Sequence, residues 1–182
     1  PGKANLENAV AALAACFACG AGIEKLQRAL AEFEGVQRRF DIHIDSPVLA
    51  YVDDYGHHPE EIKAFIAAMR DRFPGRHLTG IFQPHLYTRT RDFADGFAES
   101  LSMLDRLVLL DIYPARELPI PGVDSGIIFK KVTLKDKYLI VKEELPALLN
   151  QLHLDVVATM GAGDIDTLVE PITAMLTKRI IP

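Results

Sequence analysis

The chain has 182 residues, 49% of them hydrophobic, which is enough for one domain with a sizeable core, or one domain and part of a neighbour. Its 20 Lys plus Arg against 25 Asp plus Glu leave a formal charge of -5, so there is no electrostatic reason to expect nucleic acid or an anionic membrane as a partner, and any basic site has to be local. No stretch approaches the roughly 20 apolar residues that span a bilayer; with no signal peptide and only 2 cysteines, the expected compartment is the cytoplasm.

The opening Pro1-Gly2-Lys3 has no Met and leads at once into a helix pattern, as an excised fragment would. From Asn5 to about Gly20 the Ala, Val, Leu and Cys residues fill a helical stripe, and Gly20 and Gly22 stop it before a second helix from about Glu24 to Phe33. Cys16 and Cys19 fall inside the first helix with no second pair and no nearby His, so they are expected to be buried small hydrophobes. Glu34 to Arg39 is a polar connector, and a boundary near Phe40 divides the chain into 1–40 and 41–182.

Beyond it, short apolar runs alternate with helical patterns. Val48–Val52, Leu78–Phe82, Leu107–Ile112, Tyr138–Val141 and Asp155–Met160 read as strands. Pro59–Phe73, Asp92–Met103, Glu143–Leu152 and Ile165–Lys178 read as helices, the first with Pro at its N1 position and two glutamates in its first turn. Such alternation predicts an α/β fold, a Rossmann-like, mostly parallel sheet with helices on both faces, here preceded by a helical hairpin. Ligands of such sheets gather at the carboxyl ends of the strands. Tyr113–Ser125, with Pro114, Pro119, Pro121 and Gly122, is a turn-rich loop inside the domain.

Two strand-to-helix loops carry most of the chemistry. Asp53-Asp54-Tyr55-Gly56-His57-His58-Pro59 puts two carboxylates, a phenol and two imidazoles before the positive end of a helix, where they could bind a ribose, a phosphate, a metal or an ammonium group. The same residues also suit a polar turn in which Asp54 caps the helix and His58 packs on it. Gln83-Pro84-His85-Leu86-Tyr87-Thr88-Arg89-Thr90-Arg91-Asp92 supplies His85, Arg89 and Arg91 as charge-assisted donors for a carboxylate or phosphate. Arg38-Arg39 at the boundary could reach a phosphate or be an exposed basic pair, and Gly161-Ala162-Gly163-Asp164 could be an anion nest or a tight turn.

Together these segments resemble the Mur ligase family, and within it the members that join L-alanine to UDP-N-acetylmuramate. Asp53–Pro59 matches the family's D-D-Y-[GA]-H-H-P, and Gln83–Asp92 the Q-P-H-x-[FY]-[ST]-R-T-R-D that selects alanine-adding members. Ile112–Ser125 matches Y-P-A-x-E-x-P-I-x-G, and Gly161–Ile165 matches G-A-G-[ND]-I. Gly2–Asn8 is similar to the G-x-H-N-x-x-N that closes the family's central domain, which would make 1–40 the helical end of that ATP-binding domain and 41–182 the C-terminal domain.

The resemblance implies a ligase of peptidoglycan biosynthesis that uses ATP and Mg²⁺ and forms an acyl phosphate on the muramate carboxylate. It also implies that the P-loop, the metal ligands and the uridine-binding domain lie upstream, the pattern G-x-x-x-x-G-K-[ST] being absent from these residues. Asn5 and Asn8 would line the adenine side, Arg38 would reach the γ-phosphate and Asp53 would hold the nucleotide. Tyr55, His57, His85 and Arg89 would face the carboxylate and the incoming alanine, with Arg91 as a further substrate contact. Ala4 stands where the family has His, and Leu86 where many members have Arg. Two other readings are a non-catalytic nucleotide- or anion-binding module and a metal-dependent hydrolase using His57, His58 and Asp53.

Overall fold

The computed structural model describes residues 3–33 and 35–180, with side chains from Asn5 onward. Helices α1 (Lys3–Ala18) and α2 (Ile23–Glu32) form the expected hairpin. Six strands follow: β1 (Asp41–Asp45), β2 (Ala50–Asp54), β3 (Leu78–Phe82), β4 (Arg106–Leu109), β5 (Lys137–Leu139) and β6 (Val156–Met160). Between and after them run α3 (Pro59–Arg72), α4 (Tyr87–Asp92), α5 (Ala94–Leu101), α6 (Gly126–Phe129), α7 (Leu145–Gln151) and α8 (Val169–Ile180). The strand order is β1-β2-β6-β3-β4-β5, with β1 antiparallel and the other five parallel. The fold is therefore α/β with a mostly parallel sheet.

The pleat sends alternate residues to opposite faces, and each face has its own apolar cluster. Val52, Phe82, Leu107, Leu109, Ala158 and Met160 pack with α3 and α5, while Tyr51, Ile81, Val108 and Val157 pack with α7 and α8. Because both faces are covered, the parallel strands are apolar throughout, which is why they stand out as continuous runs. The buried core begins at Phe40, and α2 buries no residue.

Three features depart from the sequence reading. Strand β1, Asp-Ile-His-Ile-Asp, was not expected; it is a half-exposed edge strand with an irregularity at His43, and its charges read as connector. The helix expected over 92–103 is α5, and the preceding segment, expected to be loop up to Asp92, holds the additional short helix α4, separated from α5 at Phe93. Cys16 and Cys19 are exposed, contrary to the expected burial, because α1 packs mainly on α2 and leaves Leu6, Val10 and Phe17 exposed as well. Among the described residues no helix is long and apolar enough to cross a membrane.

Candidate active site

Strands β2, β6 and β3 are neighbours and parallel, so Asp54, Met160 and Phe82 end side by side and three loops leave one edge of the sheet. β6 returns between β2 and β3, the kind of crossing that opens a crevice at strand ends. Both sequence-predicted loops and the Gly161–Asp164 turn meet there.

On the β2 side, a strap from Val36 to Phe40 folds over the strand end. Arg38 and Phe40 have φ of 60° and 52°, a left-handed conformation that costs non-glycine residues about 1–2 kcal/mol each. The strap is held because Arg38 is bonded on several sides. Its Nε donates to Asp53 Oδ2 at 3.0 Å and its Nη2 to the Gly161 carbonyl at 2.6 Å, while its guanidinium lies 5.3 Å from the Tyr55 ring centre. The Arg38 carbonyl accepts the Tyr55 N–H at 2.6 Å. Asp53 is fully buried, its other oxygen taking the Thr159 hydroxyl at 2.6 Å, and that hydroxyl lies 3.0 Å from the Tyr51 phenol. Burial raises the Tyr51 pKa well above the ordinary phenol value and so holds the phenol in its neutral form.

Arg38 and Asp53, assigned from sequence to the nucleotide, are thus engaged with each other, and Asp53 is closed to solvent. Their neighbours occupy the open space instead. A cleft of about 380 Å³ is lined by Asn5 and Asn8 of α1, by Arg39, Phe40, Asp54, Tyr55 and Gly56, and by one face of α3. Adjacent residues of an extended chain point opposite ways, which separates Asp53 from Asp54. Asp54 does not cap α3; it accepts the N–H groups of Phe40 at 2.9 Å and Gly56 at 2.8 Å. Burial raises its pKa, with those two hydrogen bonds and Arg39 opposing.

The α3 cap is made by Glu61, whose Oε2 accepts the N–H groups of His57 at 2.9 Å and His58 at 3.1 Å. Burial works against that carboxylate, but the hydrogen bond from His57 and the nearby imidazoles bring its pKa below the usual value. His58 packs edge-on against Phe93, between α4 and α5, and not on α3, where the polar-turn reading puts it. His57 Nδ1 lies 3.1 Å from the Tyr55 carbonyl. A carbonyl only accepts, so Nδ1 carries the proton and Nε2 of the neutral ring is a lone pair.

On the β3 side, Arg89 of α4 reaches back to His85 ahead of the helix, its Nη1 3.2 Å from His85 Nδ1. Guanidinium has no acceptor, so here Nδ1 accepts and the neutral ring keeps its proton on Nε2. Burial, then Arg89, then His57 push the His85 pKa down, and Glu117 partly offsets them. The His57 and His85 rings are 6.2 Å apart and Tyr55 meets His57 at 5.2 Å, so Tyr55, His57, His85 and Arg89 form one cluster. Arg91 is not part of it. Two positions beyond Arg89 it lies across α4, where it pairs with Asp92 at 2.7 Å.

Gln83 is buried and ties β3 to the third loop, donating to Asp164 at 2.7 Å and accepting the Ile165 N–H at 2.8 Å. Gly161, at φ 142°, passes so close to the Gln83 carbonyl that a Cβ would stand 2.7 Å from it. Its N–H goes to the Asp54 carbonyl, so this segment is a stitched turn. Burial opposes the Asp164 carboxylate, but contacts from Lys142 and Gln83 hold its pKa below the usual range.

Comparison with known proteins gives the family of this fold. The profile of the Mur ligase glutamate ligase domain matches residues 38–163. The chain belongs to the Mur ligase family. A curated relative from Parabacteroides distasonis, UDP-N-acetylmuramate–L-alanine ligase, is 53% identical over 99% of this chain, and one of the same name from Porphyromonas gingivalis W83 is 49% identical over 97%. The chain spans 39% of the length of either relative. The crystal structure of UDP-N-acetylmuramate-alanine ligase from Thermotoga maritima superposes with a TM-score of 0.78 at 27% identity, covering 98% of this chain and 39% of that one. The MurF ligase from Thermotoga maritima in complex with ADP has a TM-score of 0.65 at 21% identity, covering 98% of this chain and 40% of that one, a likeness of fold.

Of the cleft residues that went unassigned in the sequence, Arg39 and Asp54 were visible as the second member of each pair; strand alternation turns Asp54, and the left-handed backbone around Arg38 turns Arg39, toward the cleft. Glu117 was visible as the acidic residue of the Tyr113–Gly122 motif but without its partner, and Thr159 gave no signal, since the residues they bind lie 29 and 106 positions away. His57, His58 and Asp53 do not converge, and among the described residues no three His, Cys, Asp or Glu side chains could hold a metal ion; the hydrolase reading finds no support.

Proposed function

We propose that this chain is the C-terminal part of an ATP-dependent ligase that joins L-alanine to UDP-N-acetylmuramate in peptidoglycan biosynthesis. Residues 1–40 would close the central ATP-binding domain and 41–182 would form the C-terminal domain. The observation that carries the reading is the placement of two unlike sites on one sheet edge, a cleft with amides and an arginine beside a cluster of His57, His85 and Arg89. The high identity to relatives of that name over nearly the whole chain supports it.

In this scheme the purine lies against Phe40 and the α3 face, with the Asn5 and Asn8 amides at its edge, Arg39 toward the phosphates and Asp54 toward the ribose. These walls, apolar with a few polar groups, fit a nucleoside. No Mg²⁺ ligand set exists among the described residues, and no step is assigned through the ion. A muramate carboxylate oxygen attacks the γ-phosphorus and ADP leaves; the alanine amine then attacks the acyl carbon and phosphate leaves. Arg89 and the His85 Nε2–H donate to the carboxylate oxygen, where charge changes during both steps. His57 Nε2, a lone pair beside them, takes the ammonium proton.

The full-length polypeptide should release phosphate from ATP only when UDP-N-acetylmuramate and L-alanine are both present, and the 182-residue chain alone should release none above the blank. Alanine-independent hydrolysis by the full-length protein would refute the assignment.

A further inference from the structure

We infer that Glu117 is a positioning residue for the His85–Arg89 pair: its carboxylate grips the first turn of α4 and thereby sets where the imidazole and guanidinium stand. The inference rests on the proposed function for what that pair does, but its structural content is independent of it.

Helix α4 is six residues long, too short to hold itself in water. It starts after Leu86, a β-carbon residue at φ 73° with no side-chain cap to offer, so its first N–H groups need partners from elsewhere. Glu117 supplies them. Its Oε2 accepts the Thr88 N–H at 3.0 Å and its Oε1 accepts the Thr88 hydroxyl at 2.5 Å. A carboxylate gripping backbone and side chain of one residue fixes both the helix start and its rotation. Arg89 is the next residue, and its guanidinium reaches His85, which stands just before the helix start.

The segment that carries Glu117 is shaped to reach that point. Tyr113 pairs with His85 as a short parallel bridge, its N–H donating to the Pro84 carbonyl at 2.8 Å and its carbonyl accepting the Leu86 N–H at 3.0 Å. Its ring stacks on His85 at 5.8 Å, nearly coplanar at 23°. The chain then turns over Pro114–Glu117, closed by the Glu117 N–H to Pro114 carbonyl bond at 2.9 Å and by Ala115 at φ 51°. That left-handed residue costs stability, and its effect here is to aim Glu117 back at Thr88. The Thr88 contacts hold the Glu117 carboxylate below the usual range, so it is an anion at neutral pH. The charged or titratable groups facing His85 are Arg89 from α4, His57 from the β2–α3 loop and Glu117 from this turn. The hydrogen bonds of Glu117 go to Thr88, so it positions the pair through Thr88, and its charge adds a weaker through-space pull on His85.

The test uses both the full-length enzyme and this chain. Glu117→Ala should lower kcat about tenfold to a hundredfold, the scale of an ångström-sized misplacement of a reacting group, with the KM for ATP nearly unchanged. Thr88→Val should follow the same course and add little to Glu117→Ala, since the two remove one contact, whereas Thr88→Ser, which keeps the hydroxyl, should restore most of kcat. In this chain, the His85 ring followed by NMR should titrate at lower pH in Glu117→Gln than in the parent, because only the repelling Arg89 and His57 remain, with His153 as an unmoved control. Wild-type kcat in Glu117→Ala alongside an impaired Arg89→Ala would overturn the inference. So would losses of kcat and of melting temperature that fall together in Glu117→Ala while Thr88→Val is normal. Should Glu117→Ala fail to fold, Thr88→Val and the His85 titration decide alone. If Arg89→Ala also kept full activity, the proposed function would fail, and the His85 titration would still judge the Glu117 contact.

Discussion

Two arginines on the same sheet edge have opposite surroundings. Arg38, at the end of β2, is closed in by a fully buried carboxylate, a backbone carbonyl and an aromatic face. Arg89, at the end of β3, has no carboxylate ion pair among the described residues and meets an imidazole whose protonation it suppresses. A guanidinium whose charge is balanced inside the protein acts as a fastener, because releasing it would strand a buried anion. One opposed only by a neutral ring keeps its field available to a passing carboxylate. The difference teaches that the arginine nearest the buried acid is occupied in holding the sheet edge together, whereas the one farther from it is left with its charge unbalanced by a carboxylate, as the proposed substrate contact requires.

The sharpest way to break this comparison is Arg38→Ala. It would leave Asp53 in the sheet with only the Thr159 hydroxyl, and loss of one member of a buried pair costs about 3–5 kcal/mol. Urea unfolding of this chain should register that loss, while Arg39→Ala one residue on should stay within about 0.5 kcal/mol, as exposed positions do. Equal effects would end the distinction between the two.

Next in size, Arg89→Ala in the full-length enzyme should lower kcat about a hundredfold, or about 2.7 kcal/mol, with little change in ATP KM or melting temperature. An unchanged kcat with a raised ATP KM would move Arg89 to the nucleotide. Arg39→Ala should do the reverse, raising ATP KM about tenfold, one lost charge-assisted contact, while kcat falls less. If Arg38→Lys gave the larger ATP effect with stability intact, the sequence-based assignment to Arg38 would be the better one.

The smallest expected effect is a pH dependence of stability. The folded pKa of His85 lies below the 6.5 of a free imidazole, so between the two values the unfolded chain binds more protons than the folded one. Stability from this group is then complete above the unfolded value and is lost as pH falls through the folded one. His85→Gln should flatten that part of the melting-temperature profile in this chain. A profile unaltered by the substitution would mean that burial and Arg89 together do not hold the ring neutral.

The sequence alone determined the order of strands and helices, because strands covered on both faces must be apolar throughout and so stand out between helical periods. It also pointed to the two loops that meet at one sheet edge, since the segments with His57, His85 and Arg89 follow such strands. It was silent about β1, whose half-exposed edge has the composition of a connector, and about the break at Phe93. Tertiary structure alone decided that Asp53 and Arg38 face inward while Asp54 and Arg39 line the cleft, because strand alternation separates the two aspartates and the left-handed backbone at Arg38 separates the two arginines. It alone brought Glu117 to Thr88, since a contact across 29 residues leaves no local trace. Local periodicity records which face a segment buries, whereas the partner of a buried charge or a helix start is chosen by the packing of the whole sheet.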